Sequence, residues 1–148
     1  MLADVERFAA SLDVTGQDAD ALLLIGRRHV RSNNSWMHNY QRLVKGKPRH
    51  QLLMHPQDAQ ARQLQDGQQA WIRSRVGELE VTISASDEMM PGVVSLPHGW
   101  GHDREGIQQD IARAHAGVSA NDITDERLVD AVTGNAAVNG VPVRVVAV

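Results

Sequence analysis

Leu22 to Asn39 reads LLLIGRRHVRSNNSWMHN, and its character changes abruptly in the middle. Four aliphatic residues, Leu22 to Ile25, stop at Gly26. So short an apolar run predicts a strand buried on both faces, with Gly26 letting its end turn without steric cost. A polar segment then begins. Arg27, Arg28 and Arg31 bring forked donors suited to phosphate or to a planar polar heterocycle, and Ser32, Asn33, Asn34 and Asn39 bring paired donors and acceptors. His29, Trp36 and His38 add flat faces. A merely solvated loop rarely gathers a tryptophan, two histidines and three arginines, so this stretch is read as a mouth that faces a ligand.

Working outward, Val5, Phe8, Ala9 and Leu12 repeat at helical spacing before Gly16, which predicts a helix over 3–13 in an N-terminal extension, 1–20. Beyond the mouth, Gly46, Lys47 and Pro48 read as loop, and Gln51 to Met54 as a second strand. Pro56 suits a first helical turn, Asp58 favours its positive end and Gly67 its termination, so DAQARQLQDG is expected to be helical. A hairpin follows. Ala70, Ile72, Ser74 and Val76 alternate with Trp71, Arg73 and Arg75; after Gly77, Leu79, Val81 and Ile83 alternate with Glu80, Thr82 and Ser84. Val93 to Leu96 is another apolar strand and opens into PHGWGH as the first opened into GRRH. Residues 103–122 lack strong periodicity, Thr124 is expected to cap a short helix through Leu128 and Val129, and Gly134 to Gly140 is turn chemistry. Val141 to Val148 closes the chain as a Val-rich strand, with Pro142 where a ladder donor is dispensable. About six short strands, two or three helices and no strict alternation point to a mainly β chain, a closed β-barrel with short helical insertions.

Composition limits the function. The chain has 148 residues, suiting one domain, and is 42% hydrophobic with one Phe, one Tyr and three Trp, so its core must be aliphatic. No cysteine occurs, which excludes disulfides, thiolate zinc sites and iron–sulfur clusters held by this chain and is compatible with a cytoplasmic location. A formal charge of −3 gives no basis for non-specific nucleic-acid binding, although the arginines near residue 28 are a local exception. No apolar run approaches the length of a membrane span.

The ordered segments LLLIGRRHVRSNNSWMHN, LLMHPQDA, PGVVSLPHGWGH and NDITDERLVDAVTGNAAVNGVPV resemble the C-terminal dinucleotide-binding domain of molybdopterin oxidoreductases, formate dehydrogenase-like members of the dimethyl sulfoxide reductase superfamily. The resemblance runs from about residue 20 onward. It implies a double-psi β-barrel of the aspartate decarboxylase-like type whose loops grip molybdopterin guanine dinucleotide, present in bis form with molybdenum in a full enzyme. It also implies cofactor contacts by Arg27, Arg28, His29, Ser32, Asn33 and Asn34, by His98, Gly99, Trp100 and His102, and by Asn121 and Asn139. One departure is that many relatives carry an aromatic–lysine pair where this chain has Val138 and Asn139. The metal ligand and the cluster cysteines of the superfamily are not in this sequence, so the implied partners are the remaining domains of a parent oxidoreductase, and the chain alone is expected to hold cofactor without catalysing.

Two other classes compete. Seven histidines, with His98 and His102 at i, i+4, suggest a metal-binding module, but the intervening Gly, Trp and Gly disfavour the helix that would give that spacing meaning. A protein-interaction barrel would use Trp36 and Trp100 as interface anchors. The phosphate-loop and GxGxxG fingerprints of ATP and NAD sites are absent.

Overall fold

The computed structural model describes residue 6 and residues 20–130 and 133–148. The helix expected over 3–13 lies outside them. Six strands close into one barrel: β1 Leu22–Arg27, β2 Leu52–Met54, β3 Gln69–Arg73, β4 Glu78–Ala85, β5 Val93–Pro97 and β6 Val141–Ala147. Around the barrel they run β1-β5-β2-β4-β3-β6. The β1–β5 and β2–β4 pairs are parallel and the other four antiparallel, so the barrel is mixed. Three short helices, α1 Gln41–Val44, α2 Pro56–Ala61 and α3 Asp110–Ala114, and a 3₁₀ turn at Ala120–Ile123 sit in the connections. The mainly β barrel expected from the short Val- and Leu-rich segments is the fold found.

The core fills from every strand. Leu22 and Leu24, Leu52 and Met54, Ile72, Ile83, Leu96, Val141, Val143 and Val145 form one buried cluster. Each such aliphatic side chain contributes about 1.5–3 kcal/mol relative to exposure. Leu22, Val93 and Val141 belong to neighbouring strands, since β1 pairs with β5 at Leu23↔Val93 and with β6 at Leu24↔Val141.

Several local expectations are corrected. The strand buried along its whole length is β5, whereas Ile25 on β1 is 37% exposed. Gly26 does not turn the chain: β1 continues through it, pairing Gly26 with Leu96, and a Cβ at Gly26 would lie 2.0 Å from the His98 ring. Its missing side chain serves close approach. Helix α2 stops at Ala61, well before Gly67, because Gln63 takes a positive φ of 57° and Leu64 N–H turns back to the Ala59 carbonyl. Gly67 instead donates to Ile83 and leads into the hairpin. Val76 leaves the alternation and sits exposed in the turn that Ser74 N–H closes on the Gly77 carbonyl. Thr124 caps no helix: its hydroxyl donates to the Ala120 carbonyl, and Asp125 accepts from Arg127 N–H to make a turn. The unpatterned 103–122 stretch holds α3 and the 3₁₀ turn, both too short to show a period.

Candidate functional site

Parallel pairing of β1 with β5 carries the loops that follow both strands to the same end of that pair. The loop after β1 runs through 28–40 in successive turns, with Asn33 and Asn34 at positive φ, 42° and 61°, a conformation Asn tolerates better than most residues. The loop after β5 carries His98 to His102. The two are pressed together at one point: a Cβ on Gly99, itself at φ +85°, would lie 2.5 Å from the Asn34 carbonyl oxygen.

Two clefts open where these loops meet. One, of about 190 Å³, has Arg27, Arg28, His29, Ser32 and Asn34 on one side and His98 and Trp100 on the other, with Pro48, Arg49 and Gln51 completing it. The second, of about 280 Å³, shares Arg28, Asn34, His98 and Trp100 and adds Gly99, Ser119, Asn121 and Val138. Arg28 and Trp100, far apart in sequence, therefore belong to one contiguous mouth. No carboxylate lines either cleft among the described residues.

The arginines there differ in what they do. Arg27 is half-buried and donates to the carbonyls of Ser95, Arg49 and Gln51, tying the end of β1 to β5 and to the approach to β2; burial lowers it to about 10. Arg49 donates to the Leu43 carbonyl, and burial together with Arg31 pushes it downward. Arg28 is exposed and reaches only a neutral partner, Asn34 Oδ1 at 3.0 Å. The histidines are held below the usual imidazole range: His98 by burial and then Arg28, and His29 by burial and then Arg49, Arg31 and Arg27. They are uncharged at neutral pH. The mouth thus offers cationic forks, neutral imidazoles, amides and a ring face, a set that binds an anionic group beside a heterocycle.

The remaining residues singled out from sequence fall in different places. Asn33 lines neither cleft, and its carbonyl accepts from Trp36 N–H. Asn139 uses its side-chain oxygen to accept from Gly26 N–H at 2.7 Å, holding β1 beside Val138. His102 is 9% exposed and lies behind the wall, its Nε2 2.7 Å from His38 Nδ1. Trp100 is 7% exposed, so it anchors the wall rather than a free surface, whereas Trp36 is 79% exposed. His98 and His102 are on a loop, and no group of three His, Asp or Glu side chains able to hold a metal occurs among the described residues. Arg49, Ser119 and the buried His38 were missed as site residues. A signal for Arg49 was present: no carboxylate stands between Asp20 and Asp58, so every cation in that stretch lacks a local counter-charge. Among the described residues no helix is long and apolar enough to cross a membrane.

The residues fit a pterin dinucleotide on the ground of their donors: unspent guanidinium charge for a pyrophosphate, amide groups for heterocycle edges, and a glycine where a Cβ would fill the cradle. Comparison with known proteins bears on this directly. Over an aligned stretch of 121 residues the chain is 28% identical to a tetrathionate reductase of Salmonella typhimurium strain LT2, covering 70% of this chain and 12% of that protein. Its fold superposes on acetylene hydratase from Pelobacter acetylenicus with a TM-score of 0.72 at 20% identity, over 86% of this chain and 18% of the other. The chain thus spans less than a fifth of the length of either. Residues 22–142 match the family described as Molydopterin dinucleotide binding domain, and the chain belongs to that family.

Proposed function

We propose that this chain is the cofactor-holding part of a larger molybdenum oxidoreductase and grips molybdopterin guanine dinucleotide across the mouth formed by the loops after β1 and β5. The observation that carries the reading is that Arg28, Asn34, His98, Trp100 and Asn121, drawn from three separate segments, line adjoining clefts without a carboxylate among them. Arg28, with Arg49 behind it, holds the pyrophosphate; Asn34, Asn121 and Ser119 face heterocycle edges; Trp100 supplies a flat wall. Arg27, Asn139 and His102 act through the backbone and side chains they hold, because their polar atoms are already bonded within the protein. When bound, the cofactor supplies dithiolene sulfurs for the metal, while the metal's protein ligand comes from the remaining domains, the partners of this chain.

The parent enzyme's substrate is chosen outside these residues. The chain resembles a tetrathionate reductase and an acetylene hydratase, and neither supports the formate dehydrogenase-like specificity expected from the sequence.

Titration of the chain with GDP, ADP and inorganic pyrophosphate, followed by amide and side-chain NMR, tests the reading. GDP is expected to shift Arg28, Asn34, Trp100 and Asn121 together, at roughly millimolar affinity because half a site leaves polar groups wet. Pyrophosphate should move Arg28 without Asn121, and ADP should bind more weakly than GDP. Shifts scattered over the barrel, or confined to one loop, would defeat it.

A further inference from the structure

Behind the Trp100 wall lies an aromatic cluster that ligand contact does not explain. His38, on the loop after β1, is 1% exposed. Its ring stacks on the Trp100 indole with centroids 3.9 Å apart and planes 29° from parallel. Its Nδ1 is 2.7 Å from Nε2 of His102, which meets it edge-on with centroids 5.0 Å apart. His38 Nε2 finds no hydrogen-bond partner among the described residues. A bond between two imidazole nitrogens requires one to donate and the other to accept, so each ring fixes the other's tautomer and orientation.

The pair also spans the mouth. His38 belongs to the same loop as Arg28 and Asn34, and His102 and Trp100 to the loop that carries His98 and Gly99. The Asn34 carbonyl packs on Gly99 with no room for a Cβ, so a small shift of either loop disturbs both. We propose that His38 is a positioning residue that holds the Gly99–Trp100 wall of the cleft against the Arg28–Asn34 wall, through its stack on Trp100 and its bond to His102, without touching the ligand. The proposal rests on the reading of the cleft as the dinucleotide site. Both rings are uncharged at neutral pH, as a single shared N–H requires: burial first, then His102, Arg49 and His50, lower His38 to about 4 against the pull of the Gly99 backbone. Burial lowers His102 as well, opposed by Asp103 and by the Gly99 backbone.

Hydrogen exchange on the unliganded 148-residue chain reads the wall without any ligand. The reporters are the amides of Gly101 and His102, which both donate to the Ala116 carbonyl, and of His98, which donates to Arg27. His38→Phe keeps a flat ring but removes the nitrogen, and is expected to speed exchange at these amides by about tenfold or more, as local opening becomes easier. His102→Gln places an amide nitrogen near the lost Nε2 and is expected to stay within about threefold of the original chain, whereas His102→Leu should follow His38→Phe. GDP binding should fall in parallel with exchange, unchanged in the Gln variant. Unaltered exchange in His38→Phe, or equal exchange in the Gln and Leu variants, would overturn the proposal; the second comparison stands even where His38→Phe does not fold. A chain that shows the exchange pattern but ignores GDP would support the link between the walls and overturn the dinucleotide reading instead.

Discussion

Arg75 and Arg28 are both exposed guanidinium groups that reach a side chain on a distant or neighbouring turn, yet their surroundings are opposite. Arg75, at the tip of the β3–β4 hairpin, bonds both oxygens of Asp125 at 2.6 Å and Glu126 at 2.7 Å. Its charge is spent, and the hydrogen bonds it donates to these carboxylates push it further upward. Arg28 bonds the neutral Asn34 amide in a mouth lined by no carboxylate among the described residues, so its charge remains for an anion. The lesson is that the count of cations does not mark a ligand site in this chain; the absence of counter-charge around them does.

The largest expected effect strikes the seam that makes the mouth. Gly99→Ala must accept φ +85° and a Cβ 2.5 Å from a backbone oxygen that cannot move as a side chain would. The conformation alone costs on the order of 1–3 kcal/mol, and the clash adds to it. Denaturant unfolding should show that loss, and GDP-dependent shifts should vanish. Gly106→Ala is the control, because Gly106 has a similar φ of +84° with nothing within 4 Å of the added Cβ, and it should show only the smaller conformational cost. Equal losses in the two would mean that the loops do not depend on close approach.

Next in size is the exchange of roles between the two arginines. Arg28→Ala should weaken binding of GDP or of the dinucleotide by about 1–3 kcal/mol, the worth of a charged hydrogen bond, with the melting temperature little changed. Arg75→Ala should do the reverse, lowering the melting temperature and sparing nucleotide affinity. Either variant behaving like the other, in paired calorimetry and titration, would erase the distinction between spent and available charge.

Much of this contrast was legible in the sequence, and some was not. The LLLIGRRHVRSNNSWMHN and PHGWGH segments announce themselves because polar donors crowd behind apolar strands, and the barrel places them together as parallel β1 and β5 require. Short strands were readable for the same reason, from Val and Leu runs too brief for helices. What escaped was whatever depends on a partner remote in the chain. Gly26 looks like a turn until the His98 ring occupies the space of its missing side chain. Arg27 and Arg28 are adjacent and chemically identical, but only the fold aims one at three carbonyls and leaves the other in the cleft. His38 and His102 are 64 residues apart, and no spacing rule pairs them. Thr124 resembles a cap because its type suits one, whereas Asp125 bonding Arg75 and Arg127 decides that segment.

A smaller effect, confined to acid, sharpens the Arg75 side of the comparison. Arg75 hydrogen bonds and the Arg127 amide hold Asp125 down at about 2, below the roughly 3.9 of a free aspartate. Glu126 is lowered too, chiefly by Arg75. A carboxylate depressed in the folded state contributes stability above its unfolded value and loses it as pH falls through the folded one. Melting temperature should therefore decline between about pH 4 and pH 2, and Asp125→Asn should flatten that limb while lowering the plateau above it. An unchanged acid limb in the variant would show that the clamp carries no linkage.

The smallest expected effect is none at all, and it tests the mouth. If the cation-rich side were instead a metal centre, its histidines would converge, and removing the metal would remove folding energy outright. The geometry opposes convergence: His98 lines the cleft, while His102 is turned away into its bond with His38, so the i, i+4 spacing joins two rings with different tasks. Arginine neighbours also disfavour a bound cation, since the charge that lowers His98 and His29 would repel a divalent ion as it repels a proton. Incubation with a strong chelator should leave the melting temperature unchanged, and added zinc should not raise it. A large drop on chelation would replace anion recognition with metal binding as the reason this loop pair is poor in carboxylates and rich in imidazoles.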